Sequence, residues 1–150
     1  MDSLRQQILK LLIERGVFDS IEVEEALSLQ KKEGQKLSSL LIKHTPAKKD
    51  IAIEFINRII NPASITISQL TQLKIPPEVL RIITFEIARQ YHILPIIKQG
   101  NNLTLALDDP LAIFDLEDIK ELQNYILTPI IAPRMEFIEQ IELRYSRTLD

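Results

Sequence analysis

Cysteine and tryptophan are absent from the 150 residues, glycine occurs three times and histidine twice. Without cysteine there is no disulfide framework and no thiolate zinc site, and His44 and His92 leave little for a histidine-based metal centre. Gly16, Gly34 and Gly100 cannot build a glycine-rich phosphate loop. There is accordingly no GxxxxGK followed by Ser or Thr, no GxGxxG, no HExxH and no GxSxG. Apolar runs are far shorter than the roughly 20 residues of a membrane-spanning helix. The opening MDSLRQQ has no basic stretch leading into an apolar one. A cytosolic address without membrane insertion is the expectation.

What is present is a folding chain, 45% apolar and 26% charged, with a net charge of −3. At this length about 68–70% of the unfolded surface can be buried, and with five Phe and three Tyr the core must be built from Leu and Ile. Residues 1–68 carry ten basic and nine acidic side chains, residues 69–150 eight and twelve. Neither half has the basic excess that neutralises several duplex phosphates, so nucleic acid is not an expected partner. The charge shift and the element pattern divide the chain into a helical module, 1–68, and a small α/β module, 69–150.

Ser3 and Gln6 form a capping-box start, apolar residues follow at Leu4, Ile8, Leu11 and Leu12, and Gly16 offers a left-handed stop. Asp19 or Ser20 caps a second helix whose face is Val23, Ala26, Leu27 and Gln30, closed by Gly34. A short helix is predicted over 37–43. Thr45-Pro46 then reads as cap and first residue of a helix through Ala52, Phe55, Ile56, Ile59 and Ile60, ended by Asn61-Pro62. In the second half Pro76-Pro77-Glu78 opens a helix with Val79, Ile82, Ile83, Ile87 and Tyr91 inward. Strands are predicted at 93–97 and 103–107 around a Gly100 hairpin, a helix over 113–125, a strand at 128–132 and a last helix over 135–145. The fold class is α+β: a helical module, then α-β-β-α-β-α around a three-stranded sheet.

Residues 7–30 and 36–59 superpose as two 24-residue units separated by Lys31 to Gln35. Leu12-Ile13 matches Leu41-Ile42, Ala26-Leu27 matches Phe55-Ile56, and Gln7-Ile8-Leu9 falls opposite Lys36-Leu37-Ser38. Two amphipathic helix pairs would give the same apolar match by themselves.

Catalytic chemistry is not evident. Asp108-Asp109 before Pro110 reads as a solvated turn and helix cap in preference to a metal or acid/base site. His92 is expected to cap a helix C-terminus and His44 to be exposed. Glu22, Glu24 and Glu25 complement the dipole of the second helix, with Lys31 and Lys32 at its other end. No catalytic and no metal residue is assigned.

The two 24-residue units with their five-residue spacer are followed by Ala88-Arg89-Gln90-Tyr91, Leu94-Pro95, the run Leu105 to Pro110, and Glu142-Leu143-Arg144-Tyr145. That layout resembles the amino-terminal domain of the type II secretion and type IV pilus assembly ATPases, over residues 4 to 147. The resemblance implies a docking and regulatory domain, or a stand-alone relative without a motor. Its partners would be the cytoplasmic part of an inner-membrane platform protein and a P-loop motor outside these residues, where ATP and magnesium act. The setting would be the cytoplasmic face of the inner membrane, with a monomeric fragment and a hexameric whole.

Some members of that family bind cyclic di-GMP through the same repeat, each unit opening Arg-Leu-Gly with a Gly nine positions after the Arg. Arginine offers a planar surface for a guanine and a fork for phosphate, and glycine lets the backbone come close. Here both arginines and both leading glycines are gone, Gly16 remains in the first unit, Thr45 replaces its counterpart, and Ile59 answers Gln30. The repeat is expected to persist for its fold without tight dinucleotide binding. Gln7, Lys36 and Ser38 are the candidates for any weakened site, and a cyclic di-GMP sensor is the alternative function.

Overall fold

Local signals account for most of the helix boundaries in the first sixty residues. The computed structural model describes residues 3–43, 46–60 and 63–149. The chain divides into two units, Met1–Asn61 with Ile113–Asp115, and Pro62–Ala112 with Leu116–Asp150. Residues 62–68, which charge and composition group with the first half, therefore belong with the second.

In the helical unit, α1 (Leu4–Glu14) begins at the Ser3/Gln6 capping box, and Gly16 follows it at φ +75°. Asp19, rather than Ser20, caps α2 (Ser20–Glu33), in a reciprocal box with Glu22. Gly34, left-handed at φ +69°, ends that helix, a conformation costly for any side chain with a Cβ. Then come α3 (Leu37–Lys43) and α4 (Lys48–Ile60). Residues 46 and 47 form a turn, so α4 starts two residues later than the Pro46 signal suggests. His44, Thr45 and the Asn61-Pro62 stop lie outside the described residues. Ile8, Leu12, Phe18, Leu37, Ala52 and Ile56 are almost wholly buried, with Ile113 and Phe114 in the same unit. Each large aliphatic side chain so buried stabilises the fold by about 1.5–3 kcal/mol before entropy is counted.

In the second unit the sheet has four strands, not three: β1 (Ala63–Ser64), β2 (Ile93–Gln99), β3 (Asn102–Leu107) and β4 (Ile126–Ile131), in the order β1-β4-β3-β2. Strands β2 and β3 form the antiparallel hairpin, while β3 and β1 flank β4 in parallel. Two-residue β1 carries no alternation a sequence reading can detect. Gly100, at φ +61°, is the first of the two turn residues, where a two-residue hairpin of this class places glycine. Pro129 sits inside β4 without cost to the ladder. The N–H groups of Ile126 and Ala132 donate toward β3, and the carbonyl of Ile131 accepts from Ile65 on the other side. Odd-numbered β4 residues thus face β1, and the missing N–H of Pro129 points to the side that β1 only partly covers.

The predicted helix from Pro76 to Tyr91 is two helices, α6 (Pro77–Leu80) and α7 (Phe85–Tyr91), after α5 (Ile67–Gln72). Thr84 breaks it, because its hydroxyl accepts from the Ile87 N–H and starts a new helix. Val79 and Ile83 are buried as expected, whereas Ile82, Ile87 and Tyr91 are half-buried. The predicted α-helix over 113–125 is instead 3-10 helix over Pro110–Asp118 and Lys120–Leu122. Ile119, with an extended backbone, separates the two stretches, so Leu116, Ile119 and Leu122 do not belong to one helix. Residues 110–116 are buried on every side, so no polar face distinguishes the two forms.

Helix α8 (Phe137–Leu149) ties this unit together through polar groups as well as Phe137 and Ile141. The buried Arg144 guanidinium donates to the carbonyls of Leu70 (2.6 Å) and Thr71 (3.2 Å) at the end of α5. The Tyr145 hydroxyl lies 2.9 Å from the Leu80 carbonyl and 3.2 Å from that of Ile83, where the chain turns between α6 and α7. Burial pushes that phenol above its ordinary range, so it stays a donor.

Candidate functional site

A shift of 29 residues carries α1 and α2 onto α3 and α4, so each 24-residue unit is a helix-turn-helix. Burial follows the same shift: Ile8 with Leu37, Leu12 with Leu41, Val23 with Ala52. Two cations clip the units to each other. The Lys48 ammonium pairs with Glu22 at 2.7 Å and lies 5.5 Å from the Phe18 ring centre, and the Arg15 guanidinium lies 5.9 Å from that of Phe55. The Lys48 hydrogen bond, with a smaller one from the Asp19 N–H, holds the Glu22 carboxyl below its usual range.

The candidate ligand residues stand at the openings of the two units. Gln7 is exposed on α1, Lys36 is half-buried one residue before α3, and Ser38 is half-buried in the first turn of α3. Ser38 is brought to Asp115, whose carboxylate is buried in the same unit. It accepts from the Ser38 N–H at 3.0 Å and from the Ser38 hydroxyl at 2.6 Å. Both Ser38 donors are therefore committed to an anion of the chain itself, in hydrogen bonds of the stronger, charge-assisted kind. The equivalent of Ser38 in the first unit is Leu9, buried in the core. Gln30, at the end of that unit, is engaged on both sides. It accepts from Arg5 at 2.7 Å and donates to the Gln35 carbonyl at 3.2 Å.

Asp115 was not visible as a site residue in the sequence, because 77 positions separate it from Ser38. A second pair is set by strand register. Asp109 does cap the 3-10 helix through the Leu111 N–H, but Asp108 is no solvated turn residue. Its side chain is 2% exposed, and one carboxylate oxygen meets His92 Nδ1 at 3.0 Å. His92 is the left-handed C-cap of α7, as a helix-end role requires. The hairpin register carries the signal: Ile93 pairs with Leu107, so the residues just outside, His92 and Asp108, must face each other.

Among the described residues no group of three or more His, Cys, Asp and Glu side chains could hold a metal ion. No helix among them is long and apolar enough to cross a membrane.

The family profile of the MshEN domain matches residues 64–150. That is more than half of the chain, and the chain belongs to the MshEN domain family. It is 23% identical over 137 residues to the type IV pilus assembly ATPase PilB of Myxococcus xanthus. The similarity covers 91% of this chain and 24% of that protein, so the chain spans about a quarter of that relative's length. Among solved structures, MshE with cdg is 24% identical, with 94% of this chain and 97% of that chain covered and a TM-score of 0.49. The N-terminal domain of XpsE is 20% identical, with 95% and 97% covered and a TM-score of 0.48. The fold class, set by the helices and the four-stranded sheet of the chain itself, is α+β.

Proposed function

We infer that this chain is the non-catalytic docking and regulatory part of a bacterial type II secretion or type IV pilus assembly ATPase. Its helical unit binds the cytoplasmic part of an inner-membrane platform protein, which places it at the inner face of that membrane. ATP and magnesium act in a P-loop domain beyond these residues, and hexamer formation belongs to that domain. The observation that carries the reading is membership of the MshEN family together with similarity to PilB across 91% of the chain. The absence of a Walker motif from the sequence agrees with catalysis lying elsewhere.

Cyclic di-GMP is not a tight ligand in this reading. No arginine opens either unit, and Lys36 is a point charge without a stacking face. The Ser38 N–H and hydroxyl already donate to Asp115, so neither serves a ligand phosphate. Lys36→Ala is expected to leave any residual nucleotide binding unmeasurable.

Two experiments test the assignment. The native reading frame past Asp150 is expected to run through a linker into GxxxxGK followed by Ser or Thr, and a frame without it would defeat the motor reading. A pull-down with the cytoplasmic part of the platform protein is expected to retain the chain through residues 1–68. Capture by residues 69–150 alone would move the contact to the other unit.

A further inference from the structure

A shallow groove, largely open to solvent, lies on the outer face of α2, lined by Ile21, Glu24, Glu25, Ser28 and Leu29. These residues recur at helical spacing, so they form one stripe about 12 Å long, from Ile21 to Leu29. Ile21 is 65% exposed, and Glu24 and Glu25 are exposed without an ion pair among the described residues. An apolar residue at each end and two uncompensated carboxylates between them make a surface with a definite complement.

The internal repeat supplies the control. Shifted by 29 residues, Glu25 becomes Glu54 and Leu29 becomes Arg58, and on α4 these two pair at 2.6 Å. The second unit provides its own cation four residues on, whereas the first puts an apolar anchor there and leaves the carboxylate uncompensated. We propose that the α2 stripe is a docking groove for a cationic amphipathic helix of another protein. Leucine-like anchors of that helix, about two turns apart, would seat on Ile21 and Leu29, and its Lys or Arg side chains would meet Glu24 and Glu25.

A second copy of this chain, with its net charge of −3, is disfavoured by overall like charge, and self-association through α2 is one outcome of the test below. An anionic lipid surface would be repelled by Glu24 and Glu25. The groove rests on the docking reading above for the kind of partner, a protein, but its test is made on the chain alone.

The test is amide chemical-shift mapping on the isotope-labelled 150-residue chain. The probe is a synthetic amphipathic helical peptide with leucines on one face and lysines flanking them, set against the same peptide with glutamates for lysines. The lysine peptide is expected to shift amides of Ile21 to Leu29. Glu24→Lys with Glu25→Lys is expected to weaken it about tenfold and to let the glutamate peptide bind. Both residues are exposed, so circular dichroism should be unchanged. Leu29→Arg, which copies the second unit, is expected to weaken the lysine peptide too. Shifts centred elsewhere, equal binding of both peptides, no binding of either, or self-association of the chain through α2 in sedimentation would each overturn the proposal. A platform pull-down that fails while the lysine peptide binds α2 would sink the docking reading and leave the groove standing. A pull-down that survives the double charge reversal would do the opposite.

Discussion

The two repeat units share one helix-turn-helix plan and close it by different means. Where the first unit buries Leu9, the second carries Ser38 on the Asp115 carboxylate. Where the first ends in Gln30 held between Arg5 and Gln35, the second ends in Ile59. Where the second neutralises Glu54 with Arg58, the first exposes Glu25 beside Leu29. The shared part is the apolar spacing that builds the core. At each unshared position one unit carries a polar group where the other is apolar, and that group is satisfied by the chain's own atoms.

The equivalence of the two cores can be broken most severely by truncation. Ile8→Ala and Leu37→Ala each remove a fully buried side chain at matching positions, and each is expected to cost about 2–5 kcal/mol in denaturant unfolding. A small loss at one position and a large one at the other would show that the repeat does not extend to packing.

Ser38→Ala sharpens the difference at the unit openings. It strips the hydroxyl donor from a buried carboxylate and is expected to cost about 1.5–3 kcal/mol. The same substitution made together with Asp115→Ala should cost less than the two separate losses combined, as a double-mutant cycle would record.

Acid separates the units next. The Glu22 carboxyl is depressed from its ordinary 4.5 by Lys48, so it binds fewer protons folded than unfolded. Its contribution is present in full above pH 4.5 and fades as pH falls through the lower folded value. Both partners are about 30% exposed, so the loss should stay under about 1 kcal/mol. Lys48→Ala is expected to flatten that part of the stability profile. The matching residue of the second unit, Ile51, carries no proton, and its replacement by Ala should leave the acid limb unchanged.

The smallest expected effect is the exchange of outer faces. Arg58→Leu should lose about 0.3–0.5 kcal/mol, and Leu29→Arg should gain a similar amount by giving Glu25 a partner four residues away.

The helical half was legible because its signals are local: Ser3 with Gln6, Asp19 with Glu22, and Gly34 each act within a few residues. The second half was legible in its hairpin and in the order of its elements, and less so where burial removes periodicity. Residues 110–116 are apolar or buried on all sides, so spacing could not choose between α and 3-10 helix. Thr84 leaves no mark in the apolar pattern, which runs on across it, although its hydroxyl begins a new helix. Asp115 could not be placed opposite Ser38 from sequence, since a tertiary contact over 77 residues has no local signature. Asp108 could have been, because register alone sets it across from His92.

We propose that the repeat is held by its own side chains without a bound dinucleotide. Calorimetric titration of cyclic di-GMP into the 150-residue chain addresses it most directly. No heat of binding is expected at micromolar ligand, in the parent chain and in Lys36→Ala alike. Micromolar or tighter affinity, lost on Lys36→Ala, would contradict it and make the repeat a working nucleotide sensor.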